Sequence, residues 1–413
     1  MRVLYLSQYF HPEVGATQTR AYEMAHYLVS AGHHVTMLTE VPNHPSGIIP
    51  PEYRGKLYER SELDGINVIR VWVKASPRKT FSTRMLFYLS YMVNATLAGL
   101  LLARGHYDVI YATSPPLFVG GAALALSYLR RIPLVFEIRD LWPESAVALR
   151  ELTNPRFIRW ATWLEGLCCR RAERIVVTAR EMAGYLTKHG IEDEKIVVIR
   201  NGSNTDLFRF DAAARRRYRQ SLELADKFVV VYAGLLGIAQ GLRSVLDAAK
   251  LLADRDPQIH FLIIGSGPER ENLQQYALDL GLTNLTFMPA QPRETIPAYL
   301  SASDVALVSL TRKRLLGALP SKMFDAMACQ RPVVLSAEGE ARQILEQAEA
   351  GIFVEPENPA AMAAAIVKLK QSPESRIRMG MNGRRAVERY YSRRAQADQL
   401  LRLLNTLNLN KQR

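Results

Sequence analysis

The stretch FVVVYAGLLG, residues 228–237, is a short run of β-branched and aromatic residues that ends in glycines. A buried strand of a parallel sheet has this composition, because helices cover both of its faces. Similar runs follow it, with helical stretches between them: IHFLIIGSG, LTFMP, DVALVSL, RPVVLS and GIFVEP. Residues 207–385 are therefore predicted to form a doubly wound α/β domain of the Rossmann type.

The sequence before residue 207 has the same alternation. Its apolar runs are RVLYLSQYF, HHVTMLTE, INVIRVWV, YDVIYATS, IPLVFEIRD, RIVVTA and KIVVIRN. Residues 1–206 are thus predicted to form a first Rossmann-like domain, and residues 386–413 a helix that packs back on it. Two domains suit a chain of 413 residues, which exceeds what one core usually serves. Since ligands bind beyond the carboxyl ends of parallel strands, we expect the domains to face each other across a cleft.

Composition narrows the choice of partners. The formal net charge of +13 favours an anionic partner, which could be nucleic acid, an anionic membrane surface or a phosphorylated substrate. Nucleic acid is disfavoured, because the sequence has no zinc-finger spacing, aromatic RNA-binding signature or long basic block. The three cysteines form no disulfide framework and the N-terminus has no signal-peptide pattern, so we expect a cytoplasmic protein.

Residues 84–105 carry charge only near their two ends. The segment is just long enough to span a bilayer, but polar side chains dilute it and it lies in the crossover between two predicted strands. Two interpretations remain open: a buried crossover helix, or a helix that lies partly in a membrane interface. In the second case residues 74–105 would bind the membrane, with basic residues that meet anionic head groups: Lys74, Arg78, Lys79 and Arg84.

The stretch LPSKMFDAMA, residues 319–328, predicts a helix with Pro320 in its first turn. The free N–H groups of that turn and the charge of Lys322 form an anion site that suits a diphosphate. Asp325 lies one turn beyond Ser321 on the same face, where its carboxylate could accept hydrogen bonds from two vicinal hydroxyls. A phosphate followed by a diol describes a nucleotide. The alternative is that Asp325 complements the helix dipole and Lys322 is a solvated surface charge.

Other strand ends carry candidate groups as well. In HPEVGATQTR, Gly15 allows the backbone to approach a ligand closely, although an ordinary turn would also explain it. In FEIRDLWPES a strand ends on Arg139 and Asp140, with Glu144 beyond. Asp140 could position a substrate hydroxyl or take its proton, and Arg139 could pair with a phosphate. A local Arg–Asp pair is the alternative. Gly265 lies in a turn, IIGSG, that also admits close backbone approach.

No metal site is expected from the sequence. The DRD motif at residues 254–256 precedes a strand, so we interpret it as a turn, and the eight histidines form no ligand-spaced cluster. No nucleophilic triad is visible either. The sequence therefore predicts chemistry without a metal or another cofactor.

Taken in order, these segments resemble the retaining glycosyltransferases of family 4, which have the GT-B fold. Among them, the chain is similar to bacterial membrane-associated enzymes that transfer amino or deoxy sugars in surface-polysaccharide assembly. The resemblance covers essentially the whole chain and includes TSPP, EIRDLWPES, VIRNGSNTDLF, AGLLGIAQGL, IIGSGPERENL, YLSASDVALVSL, PSKMFDAMACQRPVV and EGEARQIL. It implies a UDP-linked sugar donor, a polyprenyl-diphosphate-linked saccharide acceptor and a peripheral location on the cytoplasmic face of the membrane.

The resemblance also implies roles for single residues. Asp325 matches the second acid of an E-x7-E pattern, which holds the ribose, but Gly317 stands where the first acid is expected. Glu340 is our candidate to replace that acid. Leu235 and Gln240 stand where basic residues usually contact the diphosphate, so further cations are needed. These are Lys322 first, and then Arg312, Lys313 and Arg314. The catalytic residues implied are Asp140 and Lys322. The donor would be bound by Gly15, Gly265, Ala290, Pro320, Ser321, Lys322, Asp325 and Glu340. The acceptor would be bound by His11, Arg20, Arg139 and Glu144.

Two alternatives stay open at this point. A UDP-sugar epimerase also uses paired Rossmann-like domains, although it would need no acceptor. A non-catalytic nucleotide-sugar-binding scaffold of a polysaccharide assembly complex would explain the missing first acid and the residues Leu235 and Gln240.

Overall fold

The structure is a computed structural model that describes residues 1–13, 15–44, 46–78, 80–149, 152–312 and 316–411. Three residues named above, Lys79, Lys313 and Arg314, lie outside the described residues. The contacts between residues divide the chain into two compact units. Unit 1 comprises Met1–Arg200 and Gln396–Arg413, and unit 2 comprises Asn201–Ala395.

Unit 1 is built on an eight-stranded sheet. Its strands are β1 Arg2–Leu6, β2 His34–Glu40, β3 Tyr58–Leu63, β4 Ile66–Val71, β5 Val109–Ser114, β6 Leu134–Ile138, β7 Arg174–Val177 and β8 Ile196–Val198. Their spatial order is β3-β4-β2-β1-β5-β6-β7-β8, and all neighbours are parallel except the edge pair β3 and β4. The parallel sheet predicted for the first domain is therefore confirmed.

In the described part of unit 1, six α-helices and part of a seventh surround the sheet. They are α1 Ala16–Ser30, α2 Phe81–Leu101, α3 Phe118–Arg130, α4 Glu144–Ala148, α5 Pro155–Arg171 and α6 Arg180–Lys188, with the last helix of the chain, Arg393–Lys411, which is labelled α15 below. From Gln396 onwards this last helix belongs to unit 1. Ala397, Leu400 and Leu404 are buried against residues of β1, β2 and α1, and Tyr27 donates a hydrogen bond to Asp398 at 2.5 Å. The predicted return of the C-terminal helix to the first domain is confirmed.

Helix α2 is the crossover between β4 and β5. One face is buried through Tyr91, Ala95, Ala98 and Gly99, and it packs on α3. The opposite face exposes a row of apolar side chains at helical spacing: Leu86, Leu89, Val93, Leu97 and Leu100. Within the part of the chain that the structure describes, no helix is long and apolar enough to cross a membrane. Helix α2 is thus a crossover helix with an apolar outer face.

Unit 2 is built on a six-stranded parallel sheet in the order β11-β10-β9-β12-β13-β14. Its strands are β9 Phe228–Ala233, β10 Ile259–Ile264, β11 Leu285–Met288, β12 Val305–Ser309, β13 Val333–Ser336 and β14 Gly351–Phe353. Its helices are α7 Ala212–Ser221, α8 Arg243–Ala253, α9 Arg270–Asp279, α10 Ile296–Ala302, α11 Ser321–Ala328, α12 Glu340–Gln347, α13 Pro359–Gln371 and α14 Pro373–Ala386. Apolar cores lie on both faces of the sheet, which explains the continuous apolar runs of its strands.

The units divide at different residues from the domain boundaries expected at 206/207 and 385/386. Residues 201–206 belong to unit 2, because Asn201 donates to the carbonyl of Leu319 at 2.9 Å and Ser203 pairs with Ser392. Residues 386–395 belong to it as well, since Val387 is part of its core and the ring of Tyr391 lies 4.9 Å from that of Phe324. The chain therefore passes between the units just after β8 and within α15.

Candidate functional site

In unit 2 the turns that follow β9 and β10 are in direct backbone contact. A Cβ atom at Gly265 would lie 1.9 Å from the carbonyl oxygen of Gly234, and both glycines have positive φ, 155° and 154°. A side chain at Gly265 would collide with the backbone of Gly234, and at both positions the φ angle is strained for residues other than glycine. The two turns therefore leave a bare backbone surface at the carboxyl end of the sheet. The loop after β11 adjoins them, since Gly265 donates to the carbonyl of Met288 at 3.2 Å, and it places the exposed Ala290 there.

Lys322 extends from α11 to this bare surface. Its Nζ donates to the hydroxyl of Tyr232 and to Oε1 of Gln240, each at 2.6 Å, and lies 4.1 Å from the centre of the Tyr232 ring. The same Nζ would lie 3.2 Å from a Cβ atom at Gly234. Pro320 is the residue just before α11 and Ser321 is its first residue, so Pro320 stands one place ahead of the predicted first turn. The lysine and the helix start are thus brought together with the two glycine turns.

The surroundings of Lys322 favour the neutral form of its amine. The described groups that accept hydrogen bonds from Nζ are a phenol and an amide, and neither is anionic. Burial lowers the pKa of Lys322 from 10.5 to about 7. An anion placed against Nζ would favour the charged form, so the lysine is suited to receive a negatively charged group.

Asp325 lies one turn further along α11, on the same face. Its Oδ1 accepts a hydrogen bond from the Ser203 hydroxyl at 2.6 Å, and its Oδ2 is 4.0 Å from Nη1 of Arg293. The carboxylate is therefore held in place by groups from two distant loops. Both oxygens of a carboxylate can accept further hydrogen bonds, which is what a vicinal diol requires.

The structure also explains the glycine that stands in place of the first acid. Gly317 has φ of 71°, a left-handed conformation that favours glycine over any residue with a side chain. Glu340, the proposed replacement, is buried as the first residue of α12. Arg312 donates to the carbonyl of Pro356 at 2.8 Å, so this contact ties it to the loop after β14.

In unit 1, Asp140 lies just beyond the carboxyl end of β6. It accepts a hydrogen bond from the Ser145 hydroxyl at 3.1 Å and lines a cavity of about 230 Å³. The cavity is otherwise largely apolar and aromatic, with Phe118 and Trp142 in its wall. Asp140 therefore places a carboxylate in the wall of a pocket that could bind a ligand. We call this pocket the Asp140 cavity.

Two further acids lie near Asp140. Glu144 accepts a hydrogen bond from the Tyr185 hydroxyl at 2.5 Å. Glu165, on α5, is buried, and its burial together with the charges of Glu144 and Asp140 raises its pKa to about 9. Within the described ranges, no group of three or more His, Cys, Asp or Glu residues could hold a metal ion.

Arg20, which we expected to bind an acceptor, lies in the interior of unit 1. Its side chain is 2% exposed and pairs with Glu137 at 2.8 Å, and it also donates to the carbonyls of Ile199 and Arg200. A buried ion pair of this kind holds α1 to the sheet and to the end of unit 1, and it uses the Arg20 guanidinium for contacts within the unit. Burial lowers the pKa of the neighbouring Arg139, which donates to the Thr17 hydroxyl at 2.6 Å.

The loop after β1 holds the other two residues predicted in unit 1. His11 is exposed, and its carbonyl accepts a hydrogen bond from Arg70 at 2.8 Å. Gly15 directly precedes α1, with extended backbone, and a Cβ atom there would lie 2.5 Å from Oε1 of Gln18. Neither residue lines the Asp140 cavity.

Solved structures share this architecture along almost the whole chain. Sucrose-phosphate synthase of Thermosynechococcus elongatus superimposes with a TM-score of 0.78 at 22% identity, covering 98% of each chain. HepE of Anabaena, in complex with UDP-glucose, superimposes with a TM-score of 0.74 at 19% identity, covering 98% of this chain and all of the other. At such identities the likeness shows the fold.

Sequence comparison gives the family. WcaI of Escherichia coli, a glycosyl transferase assigned to colanic acid biosynthesis, is 27% identical over 89% of this chain and 91% of its own length. The family model described as glycosyl transferase 4-like domain matches residues 15–202, and the model described as glycosyl transferases group 1 matches residues 214–386. The chain belongs to the family 4 glycosyltransferases. It has the GT-B fold of that family and is a nucleotide-sugar-dependent glycosyltransferase.

Sequence reasoning missed the groups that position the site of this glycosyltransferase. Tyr232 could have been noticed as the one hydroxyl in the apolar run of β9. Ser203 and Arg293 lie 122 and 32 positions before Asp325, and nothing in the sequence pairs them with it. Gln240 stands where the resemblance predicts a cation, and it accepts a hydrogen bond from Lys322 instead.

Proposed function

We propose that this glycosyltransferase transfers a sugar from a UDP-linked donor to a polyprenyl-diphosphate-linked saccharide, with retention of configuration, in surface-polysaccharide assembly. The observation that carries the proposal is the pairing on α11 of Lys322, bonded to uncharged groups, with Asp325 one turn deeper. In a nucleotide sugar the diphosphate is followed by the ribose, so Lys322 could contact the first while Asp325 contacts the second. The UDP-glucose complex of HepE supports a UDP-linked sugar as donor. The role assigned to WcaI in colanic acid biosynthesis supports a function in polysaccharide synthesis.

Unit 2 binds the donor in this proposal. Lys322 and the N–H groups at the start of α11 contact the diphosphate, while Asp325 accepts hydrogen bonds from the ribose hydroxyls. The bare backbone at Gly234 and Gly265 lets the donor approach the sheet closely. Glu340 contacts the donor sugar, because Gly317 offers no carboxylate.

Transfer then proceeds on one face of the donor sugar. The bond between the anomeric carbon and the β-phosphate oxygen breaks, and a bond from that carbon to the acceptor oxygen forms. The hydroxyl proton passes to the departing phosphate or to Asp140, and Lys322 stabilises the charge that develops on the phosphate. No metal or other cofactor takes part in the proposed reaction.

Unit 1 binds the acceptor and the membrane. The Asp140 cavity receives the acceptor saccharide, with Asp140 close to its hydroxyl. The outer face of α2 lies in the membrane interface, since a row of exposed apolar residues beside basic ones suits an anionic bilayer surface. In this proposal the enzyme is a peripheral protein of the cytoplasmic face of the membrane.

The proposal is tested by incubating the purified protein with a panel of UDP-, GDP- and dTDP-linked sugars, with and without a polyprenyl-diphosphate-linked saccharide. We expect UDP release that depends on the acceptor, and an α-linked product from an α-linked donor by NMR. Turnover with GDP- or dTDP-linked sugars, but with none of the UDP-linked sugars, would contradict the UDP assignment. An inverted product would contradict the proposed mechanism.

A matched pair of lysine variants shows whether the described site carries the activity. Lys322→Ala is expected to lower kcat/KM by about 100-fold or more, since it removes a charge that stabilises the leaving phosphate. Lys250→Ala removes an exposed lysine of α8 and should leave kcat/KM unchanged. Equal activities of the two variants would rule out the assigned role of Lys322.

A further inference from the structure

A second cavity of about 220 Å³ opens beside the Asp140 cavity in unit 1. It lies at the carboxyl ends of β1 and β2, where the chain enters α2, and it shares Tyr9, Arg84 and Tyr88 with the Asp140 cavity. Arg78 and His44 line it as well. The two cavities therefore adjoin. We call the second one the near cavity and the pair together the groove, with the Asp140 carboxylate in its far half.

The groove changes in charge along its length. Two guanidinium groups, Arg78 and Arg84, line the near cavity, and none of its described lining residues is acidic. Two acids, Glu13 and Glu40, lie next to its wall, and burial raises the pKa of both. Their oxygens accept hydrogen bonds from Asn43, so they support the wall instead of facing the cavity. The near cavity is thus cationic.

The walls of the near cavity are held by specific contacts. Oε1 of Glu13 accepts hydrogen bonds from the backbone N–H groups of Asn43 and His44 at 2.7 and 2.6 Å. Gly47 has φ of 71°, and a Cβ atom there would lie 2.1 Å from the carbonyl oxygen of Ser76. These contacts join the segment after β2 to the segment that contains Arg78. The cavity is therefore a built feature and not a gap between loose loops.

We propose that the near cavity binds the diphosphate of the acceptor, between Arg78 and Arg84. This assignment rests on the proposed function, which supplies a saccharide joined through a diphosphate to a lipid. Paired guanidinium groups bind phosphate oxygens through charge-assisted, bidentate hydrogen bonds. The saccharide then extends along the groove to Asp140. The lipid leaves along α2, whose residues Phe87 and Tyr88 line the cavity while Leu86 and Leu89 are exposed.

The lipid head groups of a membrane could supply phosphate to the same arginines, so the test separates the two sources. Binding of farnesyl diphosphate, a short-chain prenyl diphosphate, is titrated in the presence of saturating UDP, which keeps the probe from the donor site. Inorganic pyrophosphate is titrated in the same way. Sedimentation with phosphatidylglycerol vesicles reports binding to head groups.

The variants are Arg78→Ala, Arg84→Ala and their combination, with Arg104→Ala as the matched control. Arg104 is an exposed arginine just beyond the other end of α2, so its removal lowers the net charge by one, as each single variant does. We expect the combined variant to bind farnesyl diphosphate and pyrophosphate about tenfold or more weakly, because it loses charge-assisted hydrogen bonds to the phosphates. Arg104→Ala should bind both like the wild type. UDP affinity and the unfolding temperature should be unchanged in every variant.

Three results would overturn the assignment. One is the absence of farnesyl diphosphate binding by the wild type. Another is unchanged binding by the combined variant. The third is a combined variant that loses vesicle binding but keeps its affinity for farnesyl diphosphate. Failure of the donor assignment has a different readout, because the wild type would then not bind UDP. The difference in farnesyl diphosphate affinity between the combined variant and Arg104→Ala would still decide the role of the arginines.

Discussion

Lys322 is held by a phenol and an amide, so its protonation depends on what binds beside it. Its pKa of about 7 in the free protein means that a bound diphosphate can shift it from partly neutral to fully charged. Asp325, one turn away, is fixed by Ser203, so it is oriented before a ligand arrives. Charge and geometry at this site are therefore controlled by different neighbours.

Binding of UDP should take up a proton at Lys322 above pH 7. Because burial depresses the pKa of the free lysine to about 7 and the diphosphate raises it, the affinity for UDP should fall as pH rises above 7. The limiting slope is about tenfold per pH unit for one proton. Lys322→Arg keeps its charge and should lose this dependence. Calorimetry in buffers of different ionisation enthalpy measures the proton uptake, and equal uptake by wild type and variant would contradict the assignment.

Asp325→Asn should weaken UDP binding by about tenfold, because an amide replaces a charged acceptor of ribose hydrogen bonds. The same substitution should have little effect on the affinity for 2′,3′-dideoxy-UDP, which lacks both hydroxyls. The ratio of the two affinities, measured by calorimetry, isolates the ribose contact. If the substitution weakens both ligands equally, Asp325 acts on the helix and not on the ribose.

Glu165 should make the protein less stable at alkaline pH. Its pKa in the folded protein is about 9, against 4.5 in a model compound, so the folded state retains a proton that the unfolded chain has lost. Stability should consequently fall as pH rises from about 4.5 to about 9. Glu165→Gln removes this dependence and should stabilise the protein at pH 8 by about 1 to 3 kcal/mol. Urea unfolding at pH 5 and pH 8 measures both effects. A gain that is equal at the two pH values would exclude the titration.

At this scale the sequence predicts residue types better than contacts. Lys322, Asp325 and Asp140 could be singled out because each lies at a strand end or helix start. The burial of Arg20 could not, since its partner Glu137 is 117 positions away on β6. Likewise, the neutral partners of Lys322 come from residues 82 and 90 positions before it.

Among the elements, α2 has two different faces. The buried face carries small residues that fit against α3, where a Cβ atom at Gly99 would lie 2.5 Å from Leu126. The exposed face carries Leu86, Val93 and Leu97, which are 54, 51 and 49% exposed. The sequence shows an apolar helix, but which face is buried and which is exposed becomes clear only from its packing against α3.

A triple variant of α2, with Leu89, Val93 and Leu97 each replaced by serine, should lose most of its binding to anionic vesicles, because each exposed side chain contributes apolar area to the interface. The control for the loss of one exposed leucine elsewhere is Leu278→Ser on α9, which is 74% exposed and lies in unit 2. Co-sedimentation with phosphatidylglycerol vesicles measures the difference. If the triple variant and Leu278→Ser bind alike, α2 is not the membrane surface.

The strands differ in how clearly their sequences predict them. The interior strands read as apolar runs because helices cover both faces. Strand β3 does not, since most of its residues are exposed at the sheet edge and its sequence, YERSEL, is polar. It pairs with β4 in antiparallel fashion, with Leu63 opposite Ile66 across a two-residue turn. A polar edge strand of this kind has no composition that sets it apart from a loop.

In the whole molecule, unit 1 is made of two separate pieces of chain. Its second piece, in α15, contributes Leu400, Leu403 and Leu404 to the core around β1 and α1. The sequence predicts that the last helix packs on the first domain, but not the residue at which it crosses. That position depends on the bridge between Ser203 and Ser392, which no pattern indicates.

Leu404→Ala should destabilise unit 1 by about 2 to 5 kcal/mol, because it removes a fully buried side chain and leaves a cavity. Arg402→Ala, an exposed position of the same helix, should cost less than about 0.5 kcal/mol. Urea unfolding followed by circular dichroism measures both. Hydrogen exchange should place the loss in β1, β2 and α1, and a loss confined to unit 2 would contradict the assignment.

The split of unit 1 has a consequence for biosynthesis. On the ribosome, β1 to β8 emerge first, but one face of their sheet keeps an apolar strip uncovered until α15 has been made. Unit 2 is one continuous stretch and can complete its fold in the meantime. The nascent chain thus carries an open hydrophobic surface during the synthesis of almost two hundred residues, from Asn201 to Ala395, and it is in this interval that we expect chaperones to engage it.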